Sequence, residues 1–211
     1  MTIAVNKTSI KAIAFDWGGV LCEDPAPVFL AQLALSLQCS KEDLQLHLSA
    51  SMDGFQRGIV SEERFLAEVA EKVQRPVMTK PFWKEALRTV YREQPAVLQM
   101  IRCLREQGYA IGLLTNTEAP AREFHLECGY DFFNARIFSC EEGLVKPERE
   151  IYALMAKRLK VTTSELLLID DKKENVEGAK AAGAFGILYE NPAQLFTQLE
   201  SHGIFLTGSL G

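Results

Sequence analysis

The chain has no excess of positive charge, no block of like charges, no paired cysteine spacing and no apolar run longer than a strand. Each absence removes a class of function. Lysine and arginine together number 23 against 28 acidic residues, a formal charge of -5 with both signs interspersed, so neither nucleic acid nor an acidic membrane is an expected partner. Apolar stretches of strand length are too short for a membrane helix, and residues 1–11 carry no apolar core of the signal-peptide kind, which makes the cytoplasm the expected compartment. The five cysteines, Cys22, Cys39, Cys103, Cys128 and Cys140, are odd in number and show neither C-x-x-C spacing nor histidine pairing. Neither disulfides nor zinc is expected, and Cys22 reads as a small apolar filler. His47, His125 and His202 have no partner pattern and read as surface or packing residues. Repeats, low-complexity tracts and long linkers are absent too.

What is present is 211 residues, 47% hydrophobic, enough for a sizeable core in one domain carrying an insertion. Short apolar runs at 10–15, 109–114, 136–139, 166–169 and 185–189 have the length and boundaries of buried strands. Between the later runs, 96–107, 119–128, 147–159 and 173–182 carry helical spacing, with Pro120 and Pro147 placed as early-turn residues and Gly108 closing a helix. Strands alternating with helices predict an α/β fold, a Rossmann-like, doubly wound parallel sheet. The exception is residues 25–93, where 28–37, 41–51, 61–73 and 80–92 are amphipathic and no strand is evident. The expected division is a core of 1–20 and 94–211, with a helical cap, 21–93, inserted after the first strand.

In such sheets ligands sit beyond the carboxyl ends of the strands. The first strand delivers Asp16 and breaks at once into Trp17, Gly18 and Gly19; an acid followed by glycines that admit a ligand to the backbone suits a nucleophile or a metal ligand. The second ends at Thr115 and Asn116, Lys146 follows the third, and Asp170 and Asp171 follow the fourth. Each has an ordinary alternative. Asp171 with Glu174 could form a capping box, residues 115–117 could be turn and cap residues, Lys146 could be solvated, and Asp16 could cap a turn. Taken together, three acids at neighbouring strand ends would repel one another without a cation, and oxygen ligands of this kind suit Mg2+.

Asp16-Trp17-Gly18-Gly19-Val20, Leu113-Leu114-Thr115-Asn116, Lys146-Pro147, and Ile169-Asp170-Asp171 with Asn175 and Gly178 resemble the four ordered motifs of the haloacid dehalogenase-like hydrolase superfamily, over nearly the whole chain. Arg57-Gly58-Ile59-Val60-Ser61, Leu104-Arg105-Glu106-Gln107-Gly108, Lys146-Pro147-Glu148 and Asp170-Asp171 with 175–179 are most similar to its alpha-glucose-1-phosphate phosphatase subgroup. The resemblance implies a Mg2+-dependent phosphatase acting on a small phosphorylated metabolite, a sugar phosphate by the subgroup. It implies Asp16 as nucleophile forming an aspartyl phosphate, and Mg2+ on Asp16, Asp171 and the Gly18 carbonyl with Asp170 supporting or sharing it. Thr115 and the Asn116 backbone would bind phosphate oxygens, and Lys146 would supply positive charge and steady the nucleophile.

Gly18 departs from most phosphatases of that superfamily, which carry a second aspartate there as general acid and base; the glucose-1-phosphate subgroup has glycine as well. Glu23 or Asp24 could substitute as proton carrier. Substrate choice is expected in the cap, where Met52, Phe55, Gln56 and Arg57 precede Gly58 in a predicted turn; Arg57 is either a contact to the non-phosphate part of the substrate or an exposed helix-end cation. Trp17 either walls the pocket or fills core. The rival readings are dehalogenase chemistry, with Asp16 attacking carbon, and a catalytically weak binding or regulatory protein that has lost its acid at position 18.

Overall fold

The computed structural model describes residues 9–78 and 80–206; residues 1–8, 79 and 207–211, which fall within the expected core and insert spans, lie outside the described residues. Five strands form one sheet: β1 (Ala12–Phe15), β2 (Ala110–Thr115), β3 (Ala135–Phe138), β4 (Leu166–Asp170) and β5 (Phe185–Leu188). All pairings are parallel, in the order β3-β2-β1-β4-β5. The order reverses around β1, so the carboxyl ends of β2, β1 and β4 flank the switch point where ligands of such sheets bind.

Both faces of the sheet are covered, which is why the strands read as unbroken apolar runs rather than alternating ones. One face, with Ala12, Ala14, Leu114, Leu166 and Leu168, packs on helices α8 (Arg149–Arg158) and α9 (Lys173–Ala181). Gly112 on that face lets α8 come close: a Cβ there would lie 2.7 Å from Met155 Sδ. The opposite face, with Ile13, Phe15, Ile111, Leu113 and Ile169, carries the larger core against α5 (Pro95–Glu106), α6 (Ala119–Glu127) and α10 (Pro192–Ser201). Proline stands at the first or second position of all three of these helices, where its missing N–H costs nothing.

Between β1 and α5 the chain forms four helices, α1 (Ala26–Leu37), α2 (Lys41–Gln56), α3 (Glu62–Lys72) and α4 (Trp83–Val90), and no sheet strand among the described residues. Ser40 and Ser61 cap α2 and α3 by accepting backbone N–H bonds from Asp43 and Arg64. The excursion leaves and returns at one point: Cys22 pairs with Glu93, Glu23 N–H donates to Arg92 O, and Gln94 N–H donates to Leu21 O. No described helix is long and apolar enough to cross a membrane.

Some expected boundaries are corrected. The second helix of the insert does not stop at residue 51 but runs to Gln56, because Gly54 marks a close approach rather than a helix end: a Cβ there would meet Val60 Cγ2 at 3.1 Å. Pro147 does not open α8, which begins at Arg149; the Glu148 side chain accepts from Val145 N–H and folds residues 145–148 into a turn, with the Lys146–Pro147 bond cis. A short helix, α7 (Ser139–Glu142), fills a stretch where none is predicted.

Candidate active site

Asp16, Thr115, Asn116, Lys146 and Asp171 line one cavity of about 190 Å³, together with Gly18. Asp16 follows β1, Thr115 and Asp170 are the last residues of β2 and β4, and Asp16 N–H donates to Ile169 O, which locks the first acid beside the pair at 170 and 171.

Lys146 is the hub, with its ammonium 2.9 Å from Asp16 Oδ1 and 2.6 Å from Asp170 Oδ2. At 3% exposure it does not read as a solvated lysine. Burial disfavours its charge, but Asp16 and Asp170 outweigh that and hold the ammonium above its ordinary range. Its loop is fastened by Asn116, whose side chain donates to Lys146 O and accepts from Lys146 N–H, at 2.9 and 2.8 Å. The Asn116 side chain is therefore spent on positioning the lysine. Gly178 lets α9 press against the same loop, since a Cβ there would lie 2.5 Å from Pro147 Cβ.

The three acids divide into different roles. Asp16 Oδ1 accepts from both Lys146 and Trp17 N–H, the latter at 2.7 Å, leaving Oδ2 with neither donor. Burial pushes the Asp16 carboxyl up to about 6 against the pull of Lys146. Asp170 is fully buried and saturated, accepting from Lys146, Lys172 N–H and Asn175 Nδ2. Asp171 Oδ1, by contrast, is buried with no hydrogen-bond partner, and burial raises its carboxyl. No capping box forms with Glu174, because α9 has no side-chain cap. Gly19, at φ 82°, backs directly onto this acid: a Cβ would fall 2.4 Å from Asp171 Oδ2.

The oxygens of Asp16, Asp170 and Asp171 come within 4.8 Å of one another, with the Lys146 ammonium bound to two of the three acids. An orphaned buried carboxylate oxygen in an all-oxygen cluster fits a hard divalent cation such as Mg2+.

Arg57 is not brought to this cavity. Its guanidinium is held by Asp53 at 2.9 Å, by Glu148 at 2.7 Å and by Gly143 O at 3.0 Å, so it clamps the end of α2 to the Lys146 loop. The contacts Arg57 makes here are structural ones, and the expected contact to a substrate is not among them. Met52 and Gln56 do line the cavity, while Phe55 points into the core at 1% exposure. Of the two acids proposed to replace the one missing at position 18, Asp24 lines the cavity and Glu23 is exposed outside it. Trp17 both lines the cavity and packs edge-on against His125, with centroids 5.4 Å apart. Cys22 is fully buried, and burial pushes its thiol far up.

One residue that sequence reasoning missed is Glu118, a cavity-lining carboxyl with 6% exposure. It accepts from Gln56 Nε2 and Trp83 Nε1, each at 3.1 Å, and burial raises its pKa. Its position, three residues beyond Thr115 and just before α6, reads in the sequence as that of an ordinary helix-leading acid.

Comparison with known proteins agrees with this geometry. The model for haloacid dehalogenase-like hydrolases matches residues 10–183. A sesquiterpene phosphatase of Aspergillus oryzae is 29% identical over 185 residues, covering 85% of this chain and 90% of its own. A phosphorylated carbohydrates phosphatase of Thermotoga maritima is 26% identical, covering 82% of each. An enzyme of the same family from Bacteroides thetaiotaomicron, solved with magnesium and inorganic phosphate, superposes with a TM-score of 0.70 at 22% identity, over 89% of this chain and 99% of that one. The chain belongs to the haloacid dehalogenase-like hydrolase family.

Proposed function

We propose that the protein is a Mg2+-dependent phosphatase of small phosphorylated molecules, working through an aspartyl phosphate on Asp16. The observation that carries this reading is the convergence on one cavity of a lysine-held carboxylate, an orphaned carboxylate oxygen and Thr115.

Asp16 attacks phosphorus through a carboxylate oxygen, the O–P bond to the alcohol breaks, and water then cleaves the acyl phosphate and restores Asp16. Lys146 holds Oδ1 and so fixes the plane of the attacking carboxylate. Thr115 and the Asn116 backbone bind phosphoryl oxygens. The departing alkoxide takes its proton inside the cavity, where Asp24 is the acid we assign to that task. Asp16, Asp171 and the Gly18 carbonyl would hold Mg2+, with Asp170 acting on it indirectly by anchoring Lys146. When bound, the ion offsets the negative charge of the phosphoryl group. The helices of residues 21–93 act as a cap, three of them forming the wall opposite the strand ends.

Phosphoryl chemistry of this kind is indifferent to the alcohol. The relatives named above dephosphorylate sesquiterpenes in one case and carbohydrates in the other, so kinship leaves the sugar phosphate expected from the motifs as one substrate class among several.

The test is phosphate release from a broad panel of phosphate monoesters. Release should require Mg2+, stop on chelation, and fall about a thousandfold or more in Asp16→Asn. Release unaffected by that substitution sinks the reading, and metal-independent halide release from haloacids would replace it with dehalogenase chemistry.

A further inference from the structure

The cavity is chemically divided. Thr115, Lys146, Asp171 and Lys172 stand at the strand ends, where a phosphate would sit. The opposite wall comes from three insert helices, each presenting residues three or four apart: Ala26 with Phe29 and Leu30 from α1, Leu48 and Met52 from α2, Trp83 and Leu87 from α4. This spacing puts each set on one face of its helix.

The polar atoms on that wall are few and partly engaged, one Asp24 oxygen being left for the proton transfer assigned to it above. Gln56 Nε2 and the Trp83 indole N–H both donate to Glu118, and Asp24 Oδ1 accepts from Ala26 N–H at 3.0 Å. A sugar would bring several hydroxyls against three apolar helix faces, and each hydroxyl left unpaired is costly to bury. A hydrocarbon chain brings none, and gains by covering the apolar faces.

We propose that the alcohol accepted by this site is a hydrocarbon alcohol, linear or isoprenoid, rather than a sugar. The proposal rests on the phosphatase reading for turnover but not for binding. Phe29 packs tilted, at 55°, against Trp83 with centroids 4.2 Å apart and builds a firm wall, while Met52, half-buried on α2, supplies an adaptable edge for chains of different shape.

The test is kcat/KM with Mg2+ for n-alkyl phosphates from methyl to decyl, for geranyl and farnesyl monophosphate, and for glucose 1-phosphate and glucose 6-phosphate. Binding of the uncleavable n-alkyl phosphonates is followed alongside by quenching of tryptophan fluorescence, since Trp17 and Trp83 line the cavity. Both readouts should rise about threefold to fourfold per methylene until the chamber is filled. The isoprenyl arm shows whether branched or linear chains fill it better. Met52→Glu should collapse the decyl-to-methyl preference by about tenfold or more, with Leu48→Gln as a second variant that keeps the question answerable if the first misfolds. Sugar phosphates outpacing decyl phosphate, or no dependence on chain length in either readout, overturns the proposal. Length-dependent phosphonate binding with no ester cleaved would support the apolar chamber and overturn the phosphatase reading instead.

Discussion

Lys146 stands between two carboxylates, and the consequences differ for each. Asp170 is locked in a complete set of hydrogen bonds and serves the lysine, whereas Asp16 keeps one oxygen clear of both of its donors. A different buried titratable residue adds its own share to the protein's response to acid. His125 is 1% exposed, packs edge-on against Trp17 and Phe138, and has no hydrogen-bond partner at either ring nitrogen. Burial, helped by Arg136, lowers its pKa to about 3. The unfolded chain therefore takes up this proton first, near 6.5, and the folded state only near 3. Stability is complete above the unfolded value and falls as the pH drops from there toward 3, by at most about 1.4 kcal/mol per pH unit from this group. His125→Phe keeps the aromatic packing and removes the titration. Urea denaturation of both proteins at several pH values checks this: the advantage of the variant should grow as pH falls from 6.5 to 4.5, and a constant gap would show that His125 is not the cause.

Among the elements, the turn after β1 is the one whose backbone decides the site. Gly18 and Gly19 look interchangeable in the chain, yet they meet different surroundings. A Cβ on Gly18 would touch Pro25 Cδ at 3.4 Å, an ordinary contact, while one on Gly19 would collide with Asp171 and require a φ of 82°. Gly18→Ala should therefore keep phosphatase activity within about threefold, and Gly19→Ala should lose about a hundredfold by displacing Asp171. Steady-state kinetics on the two variants decides it, and equal losses would contradict this account of the turn.

The same elements show what the chain made legible. The five strands are readable because both sheet faces are covered, so that apolar runs such as Leu166–Asp170 stand out. The site residues are readable because they sit where those runs stop. Arg57 was not, because only the folded insert shows Glu148, 91 residues further on, taking its guanidinium. Glu118 was missed because nothing local distinguishes a helix-leading acid from one buried against Gln56 and Trp83. Residues 52–56 read as a turn rather than as the end of α2 because the contact between Gly54 and Val60 that seats them arises only after α2 and the turn behind it have packed.

At the scale of the molecule, the sheet places acids and lysine at one switch point while the insert, tied back at Cys22 and Glu93, holds an apolar wall above them. On the proposed reading one part sets the reaction and the other the choice of alcohol, so the two would be open to separate change. The central claim is that phosphate passes through Asp16. The most direct test is to quench a single turnover with acid, reduce the acyl phosphate with borohydride and map the peptides. The account predicts homoserine at position 16, formed only when substrate and Mg2+ are both present; hydrolysis with unmodified aspartate at position 16, or modification at any other residue, would contradict it.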